Sequence, residues 1–135
     1  MMPRSDEAIT VSTSAPTLKL EARAICIGAD ILVVLQGGSQ PHIGAVAAAQ
    51  PRPSLADAQR ISASCSVLTY PGHKEDTVVK RVSEQLSAVL NTRVVVTAGM
   101  HWDGLSGTDL QIIDERVGDI ICQLTEKLTT QERDP

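Results

Sequence analysis

Residues 18–27 alternate without a break, with Leu18, Leu20, Ala22, Ala24 and Cys26 on one side and Lys19, Glu21 and Arg23 on the other. A period of two predicts a strand with one buried face. Gly28-Ala29-Asp30 reads as a turn, and the apolar run over 31–36 as a second, fully buried strand. Gly37-Gly38-Ser39-Gln40-Pro41 breaks that run, and a third strand covers 43–49 until Pro51-Arg52-Pro53-Ser54 ends it. Over 61–67, Ile61, Ala63, Cys65 and Val67 alternate with Ser62, Ser64 and Ser66, a fourth strand with a polar outer face.

Beyond Tyr70-Pro71-Gly72 the period becomes 3.6. Val78, Val82, Leu86 and Val89 with Leu90 form the stripe of a helix that begins near His73 and closes at Asn91 and Thr92. Glu75 and Asp76 fall in its first turn, where the helix dipole favours negative charge. The Val-rich segment 93–98 reads as a central strand. After a loop over 99–104, Ser106 and Asp109 have the spacing of a capping box. A second helix carries Leu110, Ile113, Val117, Ile120, Ile121, Leu124 and Leu128. The order is β-β-β-β-α-β-α, with strands four and five parallel as in a βαβ unit. The predicted fold is α+β, a mixed sheet covered on one face by two helices. Residues 1–16 are expected to be a flexible tail, 17–129 a single domain, and 130–135 a frayed end.

A chain of 135 residues suits one domain. Its net charge of −4, from 12 basic and 16 acidic side chains, argues against a nucleic-acid partner. The apolar runs are too short to span a bilayer and the polar first residues do not form a signal peptide, so a cytoplasmic protein without a membrane partner is expected. Cys26, Cys65 and Cys122, odd in number and without CxxC spacing, are expected to be reduced, buried thiols. Composition adds one further point: with no Phe, one Tyr and one Trp, the core is aliphatic, and a homo-oligomer interface is expected to supplement it.

All three histidines lie in breaks between elements: His42 before strand three, His73 after strand four, His101 after strand five. With strands three and four antiparallel and four and five parallel, all three meet on one rim of the sheet, flanked by Trp102 and Tyr70. Three chemistries suit that rim. Helix N-termini with Gly72 and Lys74 take a phosphate. His42, His73 and His101 with Asp103, Glu75 or Asp76 ligate a divalent metal. A His with a carboxylate does acid–base work. Each residue also has a plainer reading: solvated loop histidines, turn-forming Gly72 and Gly99, helix-start Glu75 and Asp76, and Trp102 as a cover for the core. No GxGxxG, GxxxxGK[ST] or nucleophile elbow is present, which leaves dinucleotide-binding dehydrogenases, P-loop enzymes and serine hydrolases unsupported.

Three loops carry a family resemblance: Pro41-His42-Ile43-Gly44-Ala45-Val46, Gly72-His73-Lys74-Glu75-Asp76 and Val96-Thr97-Ala98-Gly99-Met100-His101-Trp102-Asp103. Together they resemble the LpdD-like prenylated-flavin chaperones, the small D subunit that accompanies UbiD-type gallate and hydroxyarylic acid decarboxylases. The resemblance spans about residues 18–128. It implies a protein that is not itself an enzyme but holds prenylated FMN, or FMN, and passes it to a UbiD-type decarboxylase or maintains it there. Carried over by position, the cofactor-binding residues are His42, Gly44, Gly72, His73, Lys74, Glu75, Asp76, Gly99, His101 and Asp103, beside Ala98, with Trp102 against the flavin ring. The acidic residues there repel a phosphate unless a cation intervenes, so a divalent metal on His42, His73, His101 and Asp103 is a further expectation. Two other readings stand beside this one: a small His-dependent metalloenzyme, and a structural accessory subunit of a hydroxyarylic acid decarboxylase.

Overall fold

The structure, a computed structural model, describes residues 7–13, 17–71 and 75–133. Six strands and two helices follow in the order β1 (Ile9–Ser12), β2 (Leu20–Ile27), β3 (Asp30–Gly38), β4 (Ala45–Pro53), β5 (Ile61–Thr69), α1 (Asp76–Leu90), β6 (Val94–His101) and α2 (Gly107–Arg133). They build one mixed sheet with strand order β1-β2-β3-β6-β4-β5. β6 runs parallel to β3 and antiparallel to β4. Its Val94 and Val96 are fully buried, as the valine-rich segment predicts for a central strand. β5 runs in the same direction as β6, as expected, but β4 lies between them. The parallel hydrogen bonds of β6 therefore go to β3.

Both helices pack on the same face of the sheet. α1 lies over β4, β5 and β6, and α2 lies beside it over β1 and β2. Between helices and sheet, Leu20, Leu35, Val79, Val82, Leu86, Ile120, Leu124 and Leu128 are at most 1% exposed. The α+β architecture matches the sequence expectation, with three differences. First, Ile9–Ser12, inside the expected tail, forms β1, which pairs antiparallel with β2 and buries Val11. Four residues with two apolar positions are too few for periodicity to register; the hydrogen bonds of β2 make the strand. Second, the helix stripes hold along their length, with Val82, Leu86 and Leu90 of α1 and the apolar positions from Ile113 to Leu128 of α2 buried as expected, but differ at single positions. Val79 is buried in α1 while Val89 is 58% exposed, and Leu110 at the start of α2 is 57% exposed. Third, only Cys26 is buried; Cys65 is half-buried and Cys122 is exposed on α2. Burial, and then the bond that Cys65 Sγ donates to Glu84 Oε1 (3.3 Å), push the Cys65 thiol up from its ordinary pKa.

Candidate functional site

The C-terminal ends of β3, β5 and β6 and the start of β4 share one rim of the sheet, where both helices also begin. Two glycines let the chain cross itself there. A Cβ on Gly99 would stand 1.6 Å from the carbonyl oxygen of His42, so only glycine lets the loop entering β4 lie against β6. A Cβ on Gly44 would stand 2.3 Å from the Glu75 carboxylate. The Gly44 N–H donates to the Ala98 carbonyl (2.9 Å) and the Tyr70 N–H to the Gly44 carbonyl (2.9 Å), which pins the loop on both sides.

The space beside Gly44 holds the side chain of Glu75. Glu75 is the N-cap residue of α1 but makes no side-chain capping bond. Its carboxylate turns inward, 6% of the residue exposed, and lies 3.0 Å from His42 Nε2. It also accepts the Met100 N–H at 3.3 Å. The other ring nitrogen of His42, Nδ1, lies 2.9 Å from the Gln40 carbonyl and is oriented to donate to it. One carboxylate thus ties the start of α1 to the loop before β4 and to the end of β6. His101, at the end of β6, pairs with exposed Asp103 (Nε2–Oδ1 3.0 Å).

These groups border a pocket of about 840 Å³ between the rim and the starts of the two helices. His42, Glu75 and His101 give it one polar side, and Trp102 an aromatic surface. Met100, Val78, Leu110, Ile113 and Val117 form the apolar wall. The volume lies within the roughly 300–1,000 Å³ usual for small-molecule sites, and a few polar groups in an apolar cleft is their usual chemistry. Arg81 on α1 clamps Asp114 on α2 through its side-chain oxygen (3.0 Å) and its carbonyl (3.1 Å), holding the two helices at a fixed spacing beside the cleft.

Of the residues expected at the site, His42, Glu75, His101 and Trp102 line this pocket, with Gly44 and Gly99 directly behind it. Asp103 attaches through His101, and Asp76 is exposed on the first turn of α1. Gly72, His73 and Lys74 lie outside the described residues. Tyr70 is half-exposed and is not part of the lining. Among the described residues no group of three His, Cys, Asp or Glu side chains is placed to hold a metal ion. Of the expected metal set, His73 lies outside the described residues, while His42 pairs with Glu75 and His101 with Asp103. Sequence reasoning missed the wall that α2 contributes. The signal was Leu110, an apolar position on the exposed first turn of an otherwise well-capped helix.

Residues 14–129 match the family described as the prenylated flavin chaperone LpdD-like domain. Protein LpdD of Lactiplantibacillus plantarum is 23% identical over 117 residues, covering 85% of this chain and 81% of that protein. Among solved structures, a chain of the novel chaperone complex for yeast 20S proteasome assembly superposes with a TM-score of 0.55 at 13% identity, covering 93% of this chain and 96% of that one. At that identity the likeness is one of fold.

Proposed function

The chain belongs to the prenylated flavin chaperone LpdD-like family, and from that premise we propose that it is a non-catalytic carrier that holds prenylated FMN, or FMN, in the rim pocket and delivers it to a UbiD-type decarboxylase. The observation that carries this reading is the pocket itself. It offers a planar aromatic, Trp102, and an aliphatic wall for a flavin ring, and it lies where α1 begins, the kind of place that accepts a phosphate. Prenylated flavin, when bound, supplies the chemistry of the decarboxylase; this chain has only to bind it, orient it and keep it from bulk water.

The pairing of His42 with Glu75 bears on the repulsion that acidic residues would exert on a phosphate. Glu75 faces the imidazole at 3.0 Å and a backbone N–H at 3.3 Å, so the field of its carboxylate is met within the protein. That lowers the repulsion a phosphate would meet from this carboxylate, whether or not a cation also binds. Among the described residues no helix is long and apolar enough to cross a membrane, in keeping with a carrier that meets its partner in the cytoplasm.

Trp102 is the one tryptophan of the chain, which makes the test direct. Protein co-expressed with a flavin prenyltransferase and purified without oxygen is expected to show a flavin absorbance near one equivalent. Titrating FMN into the empty protein is expected to quench Trp102 emission. His42→Ala is expected to weaken that titration at least tenfold. A colourless protein whose emission does not respond to FMN overturns the reading.

A further inference from the structure

The sheet has two faces and both helices lie on one of them. Among the described residues no helix or strand covers the other face, yet it is apolar. Strand register sets Ile25, Leu32, Val95 and Ala48 side by side in one row across β2, β3, β6 and β4. The next row on the same face is Val34, Thr97, Val46 and Leu68, across β3, β6, β4 and β5. Ala48 is exposed, Leu68 is 58% exposed and Ile27 60%. Polar side chains border these rows: Gln36, Gln50, Ser64 and Ser66, with Arg23 and Glu21 on β2. An apolar centre inside a polar rim is the anatomy of a protein interface.

We propose that this open sheet face is the contact between two copies of this chain, a sheet-on-sheet dimer that leaves both rim pockets on the outside. Three observations favour a second copy over another partner. Size is the first. Strands about 4.8 Å apart and about eight residues long give a whole face, border included, on the order of 600 Å² per copy, at the upper end of what monomers leave exposed and approaching the roughly 800 Å² per partner of a specific interface.

Charge is the second. The two rows carry one charge, Arg23 at the β2 end opposite Val34, and Glu21, Arg52, Asp30 and Arg93 border the same face, so charges of both signs surround its apolar centre. That pattern suits a surface meeting itself. Shape is the third. A depression of about 620 Å³ lined by Leu32, Ala48, Val95 and Ser64 lies at the end of the face away from the pocket rim, and Leu68 stands at the other end. A two-fold axis lying across the strands brings the Leu68 end of each copy over the depression of the other, an isologous contact. Small aliphatic side chains on both sheets interdigitate at the ~10 Å spacing of packed sheets.

This inference stands apart from the flavin reading, because the face and the pocket lie on opposite sides of the sheet. The experiment is sedimentation equilibrium of the full chain without flavin, from 1 to 100 µM, on the wild type, Val34→Glu and Leu68→Ser. The wild type is expected at twice 14.4 kDa. Val34→Glu is expected at the monomer mass with an unchanged circular-dichroism spectrum. Leu68→Ser removes an already exposed side chain, so the monomer keeps its fold, and the dimer dissociation constant is expected to rise at least tenfold. If Val34→Glu fails to fold, Leu68→Ser decides. A wild type at 14.4 kDa throughout overturns the proposal and leaves the face to a different protein. A dimer that neither substitution weakens overturns it in favour of another surface. FMN quenching of Trp102 in the monomeric variant reports separately on the pocket.

Discussion

Two helices start at the same rim of the sheet and finish their first turns in opposite ways. At α2 the acidic residue is committed locally. The Asp109 N–H donates to Ser106 Oγ (3.1 Å) and Asp109 Oδ2 accepts the Ser106 N–H (3.0 Å), a reciprocal capping box with Asp in place of the usual Glu. At α1 the Glu75 carboxylate makes no capping bond to its own helix and reaches His42, 33 residues earlier, and the Met100 N–H, 25 residues later. The first arrangement stabilises one helix. The second joins three elements and aims a buried carboxylate and an imidazole at a pocket. The difference separates a helix start that serves folding from one that serves a site.

Four measurements can break or sharpen that contrast. The largest effect belongs to Gly99→Ala, which forces a Cβ into the His42 carbonyl and parts the strands that bring His42 to Glu75. It is expected to lower unfolding stability by about 2–4 kcal/mol in urea; a loss below about 0.5 kcal/mol would mean that the crossing is looser than described. Next is Glu75→Ala, which leaves a part-buried imidazole and a backbone N–H without their acceptor. A stability loss of about 1–3 kcal/mol is expected, together with FMN affinity reduced at least tenfold. Stability lost with affinity intact would reduce Glu75 to a purely structural tie.

Ser106→Ala comes third, at about 1 kcal/mol by the usual worth of an N-cap, and FMN affinity is expected to stay the same. If affinity falls too, the two helix starts are not separable and the contrast fails. The smallest effect lies midway along α1, at Glu84. Burial works against its charge, but the hydrogen bonds from Lys80 (2.7 Å) and Cys65 outweigh it and hold its carboxyl below the ordinary glutamate value. A lowered folded-state pKa adds stability that is present above the unfolded value near 4.3 and disappears as pH falls through the folded one. With Lys ahead of Glu, the weaker orientation of such a pair, Glu84→Gln is expected to remove only about 0.3 kcal/mol at pH 7 and progressively less as the pH falls below the unfolded glutamate value. Urea midpoints measured at neutral and acidic pH check this. An equal loss at low pH would show that packing, not charge, is at work.

How much was legible in the sequence follows from how local each signal is. The alternation of 18–27, the 3.6 stripe of α1 and the Ser106–Asp109 spacing each complete their pattern within a few residues, and each element stands in the structure. The left-handed Asn91 that ends α1 (φ 52°) is of the same kind, a residue type suited to that conformation at the end of a helical stripe. Even the meeting of His42 and His101 on one rim followed from strand directions alone. Out of reach were contacts that depend on which strands are neighbours. β4 enters between β5 and β6, and β1 exists only because β2 offers it hydrogen bonds.

By itself, then, the order of residues determined the element types, the aliphatic core, the capped start of α2 and the rim on which the chemistry-bearing loops gather. Periodicity, turn chemistry and caps are decided by neighbours within about one turn or one strand pair. Only the tertiary structure decided that Glu75 faces His42 rather than its own helix, that α2 walls the pocket, and that the described residues leave one apolar sheet face open. Each of these depends on backbone approaches between segments tens of residues apart. They are set by two glycines at a crossing and by the insertion of β4 beside β6, for which no local pattern of residues exists.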